Sequence, residues 1–212
     1  MKTFKIMSFS LFVLIMNSSC FVYNYFENQY QKDADIIRVH HFDYYAKLLT
    51  EYYELNGKYP FQYEKEVPLY CYILTSFQEE RSNYLFGDRD IEYIDDKYFF
   101  EELSKGLNRN IDEKYDPQKV STDGRPTAYI YMVDGDYFFF AIHLHNRNDL
   151  TKFVGKNYYK MELSNVDSIG SGVFRYETAL NNPFYLEMLN REPKRNALFI
   201  QLDEEYKRDS KN

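Results

Sequence analysis

The sequence has no tryptophan, two cysteines, six prolines, eight glycines and four histidines in 212 residues, and 26 basic side chains face 33 acidic ones. Each shortage excludes something. Two cysteines cannot build a disulfide framework. A formal charge of −7 runs against nucleic-acid binding, which draws its affinity from a surplus of Lys and Arg laid against phosphates. There is no phosphate loop, dinucleotide fingerprint or Gly-x-Ser-x-Gly elbow, no internal repeat and no long low-complexity linker. No uncharged apolar run has the roughly 20 residues that make a comfortable bilayer span. What the chain does have is aromatic mass, 23 Tyr and 18 Phe within 44% hydrophobic residues. That is enough to bury a core and far from the composition of a disordered chain.

Lys2 and Lys5 flank the start of an uncharged, mostly apolar run at residues 6–16 (IMSFSLFVLIM), followed by Asn17, Ser18 and Ser19. This is the layout of a secretory signal peptide. Cys20 comes next. A cysteine directly after small residues at the end of such a run resembles the lipobox of bacterial lipoproteins, in which the cysteine is acylated and becomes the first residue of the mature chain. Ser18 and Ser19 fit the pattern, whereas Asn17 stands where Leu or another apolar residue is usual. The resemblance implies a signal peptide at 1–19, palmitate-type lipidation at Cys20, a tether at 20–32 and a folded domain at 33–212. Phe21, rather than Asp, after the cysteine implies the outer membrane, on its periplasmic side or at the cell surface. Two other readings stay open: an uncleaved anchor extended by Phe21, Val22, Tyr23, Tyr25 and Phe26, and simple secretion. All three put the bulk of the chain outside the cytoplasm.

From residue 33 to 55 there is no Gly or Pro, and Ile37, His41, Tyr44, Leu48, Tyr52 and Leu55 recur at spacings of three and four, a helical stripe. Ile36, Tyr45, Leu49 and Tyr53 widen it. Asn56-Gly57 stops the helix and Pro60 prevents its resumption. Residues 48–60 (LLTEYYELNGKYP), together with Asp116-Pro117, Gly124-Arg125-Pro126, Tyr129-Ile130-Tyr131 and Asp134-Gly135-Asp136 downstream, resemble the helix end and first strands of type II secretion pseudopilins and type IV pilin-like proteins. The resemblance implies an α+β fold in which a long N-terminal helix packs on a small antiparallel sheet. It covers a fifth of the chain. The prepilin peptidase site, Gly followed by Phe-Thr-Leu-Ile-Glu, is absent. The acidic calcium loop of major pseudopilins has no counterpart either, since residues 143–149 contain Arg147 and a single carboxylate, a poor set for a hard cation.

Elsewhere, residues 67–74 (VPLYCYIL) read as a strand or a short buried helix, with Pro68 at a start or an edge. Residues 78–95 are polar. Asp95-Asp96 starts a helix over 97–107 with Phe100, Leu103 and Leu107 on one face. Residues 127–133 and 137–145 form a hairpin around Asp134-Gly135-Asp136. Tyr129 and Tyr131 share one face, Ala128, Ile130 and Met132 the other, and the run Phe138-Phe139-Phe140 marks a strand buried on both sides. Residues 158–163 suggest a third strand. Residues 165–212 form a C-terminal extension with a loop at Gly170-Ser171-Gly172 and helices starting at Asn182-Pro183 and over 197–206.

The histidines are the candidate chemistry. Residues two apart on a strand face the same way, so His143 and His145 can point together and His41 can join them as zinc ligands; no spacing signature supports the set, and paired ring edges on a mixed surface explain it as well. Cys71, in an apolar run, reads as a small buried side chain. Glu101-Glu102 and Asp95-Asp96 are adjacent rather than facing, as on a solvated helix. The tyrosines read as core and core margin before they read as a binding surface. The sequence therefore points to a non-catalytic envelope lipoprotein that binds other envelope proteins, with no cofactor and no nucleic acid. The alternatives are a membrane-anchored accessory subunit of a secretion or pilus system and a periplasmic metal-dependent hydrolase using His143 and His145.

Overall fold

A computed structural model describes residues 2–64, 67–74, 92–118, 127–147, 152–155, 158–164 and 183–192. Helix α1 runs unbroken over Lys2–Asn56, 55 residues, or about 82 Å at 1.5 Å per residue. It starts far ahead of residue 33 and passes through Cys20 without a break, because residues 2–32 also lack Gly and Pro. Among the described residues no helix is long and apolar enough to cross a membrane. The helix ends where Asn56-Gly57 predicts: Gly57 takes φ 69°, its amide donates to the Tyr53 carbonyl at 2.8 Å, and the Asn56 amide group donates to the Tyr52 carbonyl at 2.8 Å.

Tyr25, Asn28 and Gln29 are exposed, and burial sets in at Asp33. The buried arc contains Val39, Phe42, Tyr45, Ala46, Leu49 and Tyr52. It is therefore rotated from the stripe read in the sequence: Ile37, His41 and Tyr44 lie on its margin, while Tyr53 and Leu55 face water. The reason is that the buried side of α1 also holds four charged residues, Asp33, Asp35, Arg38 and Asp43, which a purely apolar count passes over.

Among the described residues six strands form one sheet in the order β2-β1-β3-β4-β6-β5, with β1 Leu69–Leu74, β2 Glu92–Ile94, β3 Ala128–Asp134, β4 Tyr137–Leu144, β5 Lys152–Gly155 and β6 Tyr158–Ser164. The sheet is mixed rather than antiparallel throughout. Strand β2 lies parallel to β1, and the remaining pairs are antiparallel. A parallel neighbour needs a long crossover, and three residues, Glu92, Tyr93 and Ile94, are too few to show a period in a stretch read as polar. Residues 67–74 resolve as a strand that starts after Pro68. In the β3–β4 hairpin Asp134 pairs with Tyr137 and Gly135 takes φ 53° at the turn.

Side chains alternate across the sheet as a pleat requires. Leu69, Cys71 and Ile73 of β1, Tyr129, Tyr131 and Val133 of β3, and Phe138, Phe140, Ile142 and Leu144 of β4 share one core with the buried arc of α1. Tyr70, Tyr72, Ala128 and Ile130 cluster on the other face, with Met132 and Phe139 against them. Phe42 and Tyr45 of α1 touch Phe140 at ring separations of 5.7 and 5.1 Å. Helix α2, Asp96–Gly106, is capped by the Asp95 carboxylate, which accepts from the Lys97 amide, and Phe99, Phe100 and Leu103 enter the same core. Helix α3, Pro183–Asn190, is attached to α1 by the Tyr185 hydroxyl donating to Asp43 at 3.0 Å. The loop at 170–172 and the helix read at 197–206 lie outside the described residues.

Gly106 ends α2 against the ring of Tyr52, and a Cβ at that position would lie inside the ring. Tyr52 is buried and cannot give way. Helix propensity alone makes Gly106→Ala stabilising by about 1 kcal/mol; the overlap should reverse the sign and cost about 1–3 kcal/mol. The midpoint of urea unfolding, compared between the two proteins, checks this.

Candidate functional site

The residues singled out in the sequence do not converge. His41 faces the sheet from α1, its Nδ1 2.8 Å from the Tyr129 hydroxyl, which donates to the Tyr115 carbonyl at 3.2 Å. Burial, partly offset by the negative charge of Asp116, holds the His41 ring down to a pKa of about 3. His143 has the parity of Phe139 on β4, so it lies on the opposite sheet face, paired in register with Lys160. His145 escapes the period-two rule because β4 ends at Leu144. The chain turns there, the His145 amide donates to Asp35 at 3.1 Å, and its Nε2 meets the Gln118 side-chain oxygen at 3.2 Å. Among the described residues no group of three His, Cys, Asp or Glu side chains gathers as a metal site.

The other candidates take structural places. Cys71 is fully buried in the core. Asp95 caps α2, Glu101 lies 3.8 Å from Lys97, and Glu102 accepts from the Tyr52 hydroxyl at 2.5 Å. Cys20 sits within α1. Ser171 lies outside the described residues.

What does converge is a buried ionic network that the sequence reading missed. Arg38, fully buried, donates from Nε to Asp116 Oδ2 at 2.8 Å and from Nη2 to Asp116 Oδ1 at 2.9 Å, the bidentate geometry of the strongest ion pairs. Its Nη1 donates to Asp35 Oδ1 at 2.8 Å and its Nη2 to Gln118 Oε1 at 2.5 Å. Asp35 also accepts from the Asn146 amide at 2.9 Å and the Asn146 side chain at 2.8 Å. Burial alone would lower the Arg38 pKa; the charges of Asp116 and then Asp35 outweigh it and hold the guanidinium firmly protonated. The signal in the sequence is Asp35-x-x-Arg38 inside an apolar arc. Read locally it is an exposed i,i+3 pair, and its meaning comes from Asp116, 78 residues away.

The network is one end of a longer strap. Residues 109–118 run back along α1 without joining the sheet. Arg109 grips Glu51 with two 2.6 Å bonds. The Tyr44 hydroxyl donates to the Asp112 carbonyl at 3.0 Å and accepts from the Asp112 amide at 3.1 Å. Tyr45 does the same at residue 114, at 2.6 and 2.9 Å. Gln118 then reaches Gln31 at 3.0 Å. Burial pushes the Tyr45 phenol well above its ordinary pKa, so it remains a donor.

Beside the network, α1, the end of β4 and α3 enclose a half-open cleft of about 250 Å³ with apolar walls of Ile36, Leu144 and Met188. The His40 ring meets the backbone carbonyl of one lining residue, Arg191, at 2.9 Å. Asp35 and Asp116 are engaged in bonds that join segments of the fold.

No family model matches the chain, and neither a curated protein nor a solved structure matches it.

Two outcomes follow from the geometry. Arg38→Met leaves two buried carboxylates uncompensated and should destabilise the fold by about 3–5 kcal/mol; adding Asp35→Asn and Asp116→Asn should recover part of that loss, with chemical denaturation as the measure. His41 has a folded pKa below its unfolded value of about 6.5, so the unfolded chain takes up the proton first. The His41 contribution is complete above pH 6.5 and is lost as pH falls towards 3, about 2 kcal/mol of it by pH 5. Between pH 7 and 5 the stability of His41→Gln should change less steeply than that of the parent.

Proposed function

We propose that the chain is a non-catalytic envelope protein held at a membrane by its N-terminal segment, with a pilin-like domain that binds other envelope proteins. One observation carries this: a single uninterrupted helix joins the apolar run at residues 6–16 to the hydrophobic core of the domain. There is no loop between address and fold, so whatever fixes the N-terminal part to a membrane fixes the domain as well.

Two further observations support the pilin-like part. The turn after α1 is docked on the sheet, with the Tyr131 hydroxyl donating to the Pro60 carbonyl at 2.6 Å and Tyr59 stacked on Phe138. Asp116 of the downstream segment returns to α1 through Arg38. The two stretches that carry the resemblance are thus bonded to each other's elements. Gly124-Arg125-Pro126 lies outside the described residues.

Lipidation at Cys20 is the favoured means of attachment, because several acyl chains on one residue anchor stably. Cleavage before Cys20 would leave 13 helical residues ahead of Asp33, the first buried position among the described side chains, a stretch of about 20 Å. The same continuous helix also favours a second reading, an accessory subunit of a secretion or pilus system anchored through an uncleaved N-terminus.

Labelling cells with a palmitate analogue and measuring the mass of the purified chain separates these. The expected result is a labelled chain beginning at Cys20, with labelling abolished in Cys20→Ala. An unlabelled chain that retains residues 1–19 and sediments with membranes would replace lipidation with the anchored-subunit reading. An unlabelled chain in the soluble fraction would overturn both.

A further inference from the structure

The cleft beside the Arg38 network has a surplus of donors that the network leaves unused. Its rim holds Lys32, Arg147 and Arg191, all exposed. Among the described residues neither Lys32 nor Arg147 has an ion-pair partner, and Arg191 pairs at the surface with Glu187. Among the described residues the lining contains one carboxylate, Asp35. Both of its oxygens are filled, by Arg38, by the amides of His145 and Asn146, and by the Asn146 side chain. A ligand entering the cleft therefore meets positive charge above an apolar floor, in a chain whose overall charge is −7.

Size narrows the class. A volume of about 250 Å³ falls just below the roughly 300–1,000 Å³ of pockets that enclose drug-sized ligands, a size that suits one aliphatic residue together with its carboxylate. A long acyl chain would project beyond such a short, half-open cleft and leave most of its surface in water, whereas a polypeptide can leave through the open side after placing its last residue. Charge, size and shape select the same occupant.

We infer that the cleft captures the C-terminal residue of a partner polypeptide, its aliphatic side chain against Ile36, Leu144 and Met188 and its carboxylate among Lys32, Arg147 and Arg191. The inference rests on the protein-binding half of the proposed function and not on the means of anchoring. Arg147 and Arg191 offer planar forks matched to a carboxylate, and Lys32 adds a flexible point charge. The rigid side of the cleft is supplied by Asp35, which holds Asn146 in place next to Arg147.

The test uses the full-length chain in detergent and a fluorescein-labelled octapeptide, Gly-Ser-Gly-Ser-Gly-Ser-Ala-Leu, read by anisotropy. The peptide acid should bind and its C-terminal amide should bind about tenfold more weakly, a difference of one factor of ten in Kd. Arg147→Ala and Lys32→Ala, both at exposed positions, should each weaken binding by about threefold, and salt at about 300 mM should weaken it relative to about 50 mM. Lys97→Ala on α2, outside the cleft, should leave binding unchanged. Equal binding of acid and amide, or no binding of either, would overturn the site. Displacement of the peptide by octanoate at matching concentration would overturn the peptide assignment in favour of a free amphipathic acid. Binding is read in detergent whatever the state of Cys20, so a failure of lipidation and a failure of the cleft are seen separately.

Discussion

Arg38 is the one buried Lys or Arg among the described residues, and the positions of three segments depend on it. Its guanidinium stands on α1, its main counter-ion on the 109–118 strap, and its second counter-ion, Asp35, holds the turn that ends β4. A buried ion pair adds little net stability compared with well-packed apolar residues, because desolvation offsets the Coulomb gain, yet removing one partner is severe. Such a network therefore acts through geometry. Apolar contacts between α1 and the sheet allow small slides and rotations; a bidentate fork with 2.8 and 2.9 Å bonds allows one register. The cleft lies next to this fixed point, so its walls inherit the same definition.

The elements legible in the sequence are those whose cause is local. Gly57 and Gly135 adopt left-handed φ values at the expected turns, Asp95 caps its helix, and Pro183 opens α3. The alternation of Tyr129, Ile130 and Tyr131 across β3 follows directly from the pleat. What escaped has long-range causes. Strand β2 exists because β1 offers an edge, and β5 because β6 does. The rotation of α1's buried arc follows from Arg38 being neutralised by Asp116, 78 positions away, and from Asp35, paired with Arg38, accepting hydrogen bonds from Asn146. His145 leaves the expected face because β4 stops one residue earlier than read, which no local preference dictates.

The aromatic excess also has a physical account. Tyr45, Tyr52, Tyr129, Tyr131 and Tyr185 are fully buried, and their hydroxyls end on backbone carbonyls or carboxylates of other segments. A tyrosine in this fold fills core volume and forms a tie in the same side chain, which neither Phe nor Leu can do. The rings left at the surface, among them Tyr53, Tyr63 and Tyr137, surround the turn after α1 and the hairpin tip. The helix, sheet and strap are thereby tied to one another through tyrosine hydroxyls.

The strap has an evolutionary side. Tyr44 and Tyr45 grip the backbone carbonyls and amides of residues 112 and 114, and the side chains there add only a Lys114 contact over the Tyr44 ring at 5.5 Å and a surface pair between Lys114 and Asp112 at 3.6 Å. Substitutions of Asp112 and Lys114 can accumulate without loosening the fold, whereas Arg38 and Asp116 can change only together. A lineage could remodel the charge of this surface strip almost freely while its path along the helix stayed the same, so divergence among descendants should collect on the outward side of the strap and be scarce beneath it.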